Sequence, residues 1–166
     1  MSRLIGPGRG NDFARYDSGT AFPPRPVDGD LFFRTDLDEV FYWDAGRSKW
    51  LSVGYETADF AYLFSVTNGM SYIDAYQCVV NVYGYSYPWD MQLVGFRCNV
   101  QASSSCTFAA YLGATLGPTL ALSAATKGSA TNWNATLTAG TTLTLFILNT
   151  ATNAHNAQIL LRRTAT

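Results

Sequence analysis

The alternation of apolar and polar positions is sharpest over residues 27–53, VDGDLFFRTDLDEVFYWDAGRSKWLSV. Three short aromatic and β-branched runs (residues 31–33, 40–43 and 50–53) have the composition that fits a pleated, half-buried surface. Asp28-Gly29, Asp36-Leu37-Asp38 and Asp44-Ala45-Gly46 precede and separate them, residues that accept tight turns or bond their own backbone. The pattern predicts a three-stranded meander. A unit of this size buries little by itself and needs a partner surface, so it reads as an adaptor and not as a free-standing domain.

Downstream the pattern stays short-period. Residues 54–66 predict a connector or strand, and Asn68-Gly69 a turn. A strand over residues 72–85 centres on Cys78 to Tyr83 and is broken by Pro88. In residues 91–102, Met91, Leu93, Gly95 and Arg97 fall on one face and Val94, Phe96, Cys98 and Val100 on the other, which is the predicted core face. Ser103-Ser104-Ser105 predicts a turn, residues 106–112 a strand, 113–118 a loop and 119–124 a short strand. Lys127-Gly128-Ser129 predicts another turn, followed by a strand over 131–138 and a central strand over 141–150, nearly continuous in apolar residues. Asn153-Ala154-His155-Asn156 predicts the turn into a final strand at 157–163. With turn signals at roughly 8–12 residue spacing and no helical period, the expectation is an all-β chain. It divides into an extended arm (1–26), the meander with its connector (27–66) and an antiparallel, jelly-roll-like β-sandwich (67–166).

Charge changes this picture. The chain of 166 residues has 11 basic and 12 acidic residues and a formal net charge of −1. Residues 1–50 hold seven of the basic and eight of the acidic ones, leaving four of each beyond. From Met91 to Leu161 there is no acidic residue, and only Arg97 and Lys127 are basic. Either a Thr-, Ser- and Asn-rich outer face replaces the charges, or much of that surface is covered by further copies, since interface cores are poor in charge and rich in aromatics. The second reading is preferred. The near-zero net charge offers no general attraction to nucleic acid or to an anionic membrane. No run approaches a membrane-spanning length, and Gly6-Pro7-Gly8-Arg9-Gly10 stands where a signal peptide would need an apolar core.

Candidate chemistry is sparse. Cys78, Cys98 and Cys106 are odd in number and widely spaced, which disfavours a zinc site or a disulfide scaffold and leaves them as small buried apolar residues. His155 is the sole histidine, and no acidic residue follows Asp90 to orient it. Asp36, Asp38 and Glu39 lack the ligand spacing of a calcium loop and read as a charged hairpin turn. The glycines near the N-terminus lack the strand before and the Lys-Ser/Thr after that a phosphate loop requires. Asn134-Ala135-Thr136 is a glycosylation acceptor only in a secreted chain. No catalytic set, metal site or cofactor is expected. Tyr55, Tyr62, Tyr72, Tyr76, Tyr83, Tyr85, Tyr87 and Trp89 form an aromatic belt suited to an interface between copies, to the chain's own core or to a sugar.

Phe22-Pro23-Pro24-Arg25-Pro26, Asp28-Gly29-Asp30-Leu31-Phe32-Phe33, the acidic turn, Phe41-Tyr42-Trp43-Asp44 and Lys49-Trp50-Leu51-Ser52-Val53 together resemble a small module of virion proteins of tailed bacteriophages, notably fibre, collar and tail-associated ones. The resemblance covers about 30 of the 166 residues. It implies a non-enzymatic virion protein, assembled in the host bacterial cytoplasm: a short homotrimeric fibre docked on head, neck or tail. The partners it implies are sister copies and other virion proteins. The chain is shorter than many fibres with this module, so a capsid decoration (cement) protein at threefold positions is the alternative, with a host-glycan-binding module as the other. On this reading the arm docks through Arg3, Leu4, Ile5, Arg9, Phe13, Arg15, Tyr16 and Phe22, and the trimer closes through Tyr76, Tyr83, Tyr85, Tyr87 and Trp89. The step from Leu137 through Ala139-Gly140 to Leu145 is similar to trimeric jelly-roll heads of viral fibres and decoration proteins.

Overall fold

The structure is a computed structural model that describes residues 17–61, 65–66, 84–147 and 152–165, with backbone alone at 61, 65–66, 101–104, 147 and 152–155. The chain is all-β, without a helix among the described residues. In chain order the strands are β1 (Asp17–Gly19), β2 (Leu31–Arg34), β3 (Glu39–Asp44), β4 (Lys49–Ser52), β5 (Glu56–Ala61) and β6 (Ser65–Val66). They continue as β7 (Tyr85–Ser86), β8 (Met91–Leu112), β9 (Thr115–Ala130), β10 (Ala135–Leu137), β11 (Thr142–Ile147) and β12 (Thr152–Ala165). All join one mixed sheet, whose parallel pair is β1–β2.

β2, β3 and β4 form the expected antiparallel meander. Both hairpins close through four-residue loops whose last residue, Asp38 (φ 51°) or Ser48 (φ 53°), is left-handed. Short polar residues tolerate that conformation. Phe32, Phe41 and Trp50 make its core, and Phe22 lies across them. The Phe22 ring stacks on Trp50 at 4.7 Å and meets Phe41 edge-on at 5.4 Å. Phe22, a residue of the expected docking arm, is half-buried and packs its ring on Phe32, Phe41 and Trp50 of the chain's own meander.

β8 is the strand with the most partners in the main sheet. It pairs with β12 and β11 along one edge and with β10 and β9 along the other. Gly95 opposes Leu160 and Leu93 opposes Leu161, so Val94 is an extra residue, a bulge that turns the strand's faces over. This corrects the predicted alternation. Met91 and Leu93 join Phe96, Cys98 and Val100 in the core, together with Cys106, Phe108, Trp133, Leu143, Leu145, Ile159 and Leu161. Val94 and Gln92, on the opposite face, are buried as well.

Further differences from the pattern reading share one cause. The predicted turns at 103–105, 127–129 and 153–156 all lie inside long strands, and the loop at 113–118 shrinks to a two-residue turn. Gly113 there has φ +62°, as the first residue of a tight hairpin turn of the primed type requires. Gly128 is needed for space and not for a turn, since a Cβ would come 2.3 Å from Leu122 Cδ2 and 3.3 Å from Cys98 Sγ. Pro118 sits at an irregularity in β9, where the missing N–H costs no ladder bond. The strand predicted over 131–138 contracts to β10, while residues 54–66 supply β5 and β6. The strand predicted over 72–85 lies outside the described residues except at its end.

Two outcomes are expected from this packing. Phe22→Ala should lower the free energy of unfolding by about 2 kcal/mol, read by urea titration of tryptophan fluorescence. Burial pushes the Cys98 thiol up to about 11 and raises that of Cys106. In a Cys78→Ser background both should resist an aromatic disulfide reagent at pH 8 until the protein unfolds, because the thiolate is the reactive form.

Candidate functional site

The seam between meander and sheet concentrates the buried polar groups. Backbone pairing begins it: Thr164 and Ala165 of β12 pair with Leu51 and Trp50 of β4. Side chains complete it. Arg47, in the β3–β4 loop, is held by Asp44 through Nη1–Oδ2 at 2.6 Å and extends across to the sheet. There Nη2 donates to the carbonyls of Trp133 (3.0 Å), Thr131 (3.2 Å) and Val94 (3.4 Å), and Nε to Trp133 (3.2 Å). The bulge at Val94 and the irregular stretch before β10 leave these carbonyls outside the ladder, and a planar guanidinium can satisfy several at once.

Lys49 performs a related task. Its Nζ donates to Gln92 Oε1 at 2.6 Å and to Thr136 Oγ1. Gln92, at 0% exposure, passes its own Nε2 to Asn134 Oδ1 at 2.9 Å. Burial of the Lys49 ammonium lowers its pKa, with nearby Asp90 opposing the shift. Arg162, 9% exposed, donates to the carbonyls of Ser52 and Val53 and lies over the rings of Tyr55 (3.6 Å) and Tyr42 (5.0 Å). Arg163 pairs with Glu39 at 3.2 Å and stands over Trp89 at 4.7 Å. The seam is a rivet with structural chemistry: its cations face carbonyls, amides and aromatic faces that they themselves satisfy.

A second polar cluster lies on the outer face of the sheet. Gln158, Arg97 and Ser129 face one another across β12, β8 and β9, and Asn156, Asn99 and Lys127 form the adjacent row. They line an open trough of about 570 Å³ whose floor includes Cys98 and Gly128.

The residues expected to close a trimer fall differently. Tyr85 meets Phe60 edge-on at 5.3 Å, and its hydroxyl donates to the Asp59 carbonyl at 2.7 Å. Tyr87 packs on the same core, and burial, with help from Glu56, pushes its hydroxyl up to about 12. Both are half-buried against the chain's own core. Trp89 is 38% exposed beneath Arg163. Tyr76 and Tyr83 lie outside the described residues, as do Arg3, Leu4, Ile5, Arg9, Phe13, Arg15 and Tyr16.

The acidic hairpin turn is also accounted for. Asp36 takes Arg34 in two parallel bonds (2.9 and 2.8 Å), whose hydrogen bonding holds its carboxyl below the usual range, and Glu39 takes Arg163. Among the described residues no His, Cys, Asp or Glu group gathers in a way that holds a metal. No family model, no curated protein and no solved structure matches this chain. Arg47, Lys49, Gln92 and Arg162 went unread in the sequence. The available signal was an Arg and a Lys beside the turn of a meander that needed a partner surface.

Arg47→Ala leaves three carbonyls without their side-chain donor and Asp44 with only the backbone N–H of residue 47, and is expected to cost about 3 kcal/mol of stability. Arg47→Lys should recover only part of that, because a point charge cannot serve as a fork. Urea unfolding followed by circular dichroism tests the order wild type, Lys, Ala.

Proposed function

We propose that this protein is a non-catalytic component of a phage virion, a short homotrimeric fibre whose N-terminal region attaches to the particle. The observation that carries the reading is β9. It bonds β8 along one edge only, and its other edge has no partner among the described residues. One of its faces is open as well, with Leu116 52% exposed, while Leu120, Leu122 and Ala130 on the other pack against the core. Residues 115–126 contain no charge. Natural sheet edges are ordinarily guarded by lysines, bulges or proline; β9 carries Pro118 with a register shift around it, further shifts near Ala125 and a single lysine, Lys127, close to its end. A long neutral stretch with small Thr, Ala and Ser side chains fits a surface that another copy covers.

The seam supports the same reading from another direction. It makes the meander continuous with the last strand, so a force or docking contact at the N-terminal region passes directly into the main sheet. The likeness of residues 22–53 to a virion module agrees with it.

Size-exclusion chromatography with light scattering should return a mass near three times 18.1 kDa. Leu116→Lys combined with Ala121→Lys, both at exposed positions, should shift the protein to monomer without unfolding it. A wild-type monomer at micromolar concentration sinks the trimeric reading, and a trimer indifferent to the double variant removes β9 from the contact.

A further inference from the structure

The stretch from Met91 to Leu161 holds two cations and no carboxylate, and strand pairing brings those two cations to one place. Arg97 opposes Ser129 and Lys127 opposes Asn99, so they sit on a diagonal across β8 and β9, a separation of roughly 7–8 Å that long side chains bridge easily. Like charges so placed gain nothing from each other. Arg97 Nε donates to Gln158 Oε1, which fixes the guanidinium beside the trough. Neither Arg97 nor Lys127 has a salt-bridge partner among the described residues. The cations that the seam uses all find carbonyls, carboxylates or rings; Arg97 and Lys127 are both exposed, and Arg97 bonds the Gln158 amide.

Asn99, Asn156, Gln158 and Ser129 complete the lining. Amides donate and accept through one planar group, and a serine hydroxyl does both, which is the requirement for holding vicinal hydroxyls. A guanidinium is suited to two-point recognition of a carboxylate or phosphate. Three strands about 4.8 Å apart and two rows about 7 Å apart give a patch with the footprint of a single sugar ring. Beneath it, Ala157, Cys98 and Gly128 pair across the same strands, and Gly128 has no room for a side chain, so the floor is packed and stiff. Two cations without an aromatic lining would make a poor nucleic-acid groove, where a track of phosphates sets affinity.

We propose that this trough binds a sugar carrying an anionic substituent, a carboxylate or a phosphate, with Arg97 and Lys127 taking the anion and the amides and Ser129 taking the ring hydroxyls. The site lies on one chain and stands or falls independently of the trimeric reading. Calorimetric titration of the full chain with trigalacturonate, glucose 6-phosphate, maltotriose and inorganic phosphate tests it. Saturable binding of trigalacturonate or glucose 6-phosphate is expected, with maltotriose and inorganic phosphate weaker by about tenfold or more, and the tighter of the two acids names the anionic group. Arg97→Ala with Lys127→Ala, both at exposed positions, should weaken binding about tenfold or more while the melting curve stays unchanged, and Arg97→Lys should retain part of the affinity. No saturable binding, equal binding of maltotriose or of inorganic phosphate, or an indifferent double variant each overturns the proposal.

Discussion

The bulge at Val94 lets one strand keep a single core on both sides of it while its other face meets the polar seam. Ahead of it, Met91 and Leu93 point into the main core while Gln92 points toward the meander; beyond it, Phe96, Cys98 and Val100 resume contact with the same core. A regular strand with a period of two could not do this, because a slip of one residue sends every side chain to the opposite face. The same bulge frees the Val94 carbonyl, and Arg47 of the meander takes it. The joint between the meander and the main sheet thus draws on an irregularity in β8, one strand beyond the β12 that both share.

Polar groups buried in that joint follow one rule. Arg47 spans a carboxylate and three carbonyls, Lys49 feeds an amide relay through Gln92 to Asn134, and Arg162 combines two carbonyls with two tyrosine rings. Carboxylates are scarce in this half of the molecule, so backbone oxygens and aromatic faces supply the negative potential instead. Such a network is unforgiving, since removal of one donor strands several acceptors at once. It also explains why the meander, too small to hold itself together, is ordered against the sheet.

Away from the seam the molecule is thinly charged, and its two exceptional surfaces differ in kind. Over residues 115–126 β9 offers a neutral edge and one open face of small residues, the character of a surface completed by association. The trough formed by Arg97, Lys127 and their amide neighbours is polar and charged, the character of a surface completed by a small ligand. They occupy different stretches of β9, residues 115–126 against 127–129, so one need not obstruct the other.

Local composition determined the all-β class, the three meander strands and the burial of Cys98 and Cys106. Aromatic runs with period two and Asp- or Gly-bearing turns are properties of neighbours in sequence, and they read correctly without a fold. Tertiary structure alone decided the rest. Gly128 looked like a turn and proved to be a point of close packing; Ser103-Ser104-Ser105 looked like a break and lies inside a strand of 22 residues. Val94 alternated as a core residue and became the bulge that reverses the pattern, while Phe22, Tyr85 and Tyr87 pack half-buried on aromatic and apolar neighbours within the chain. For Gly128, Val94, Phe22 and Tyr85 a deciding partner, Cys98, Leu160, Trp50 or Phe60, stands on another strand, and pairing between distant segments leaves no periodic trace in the sequence around either one.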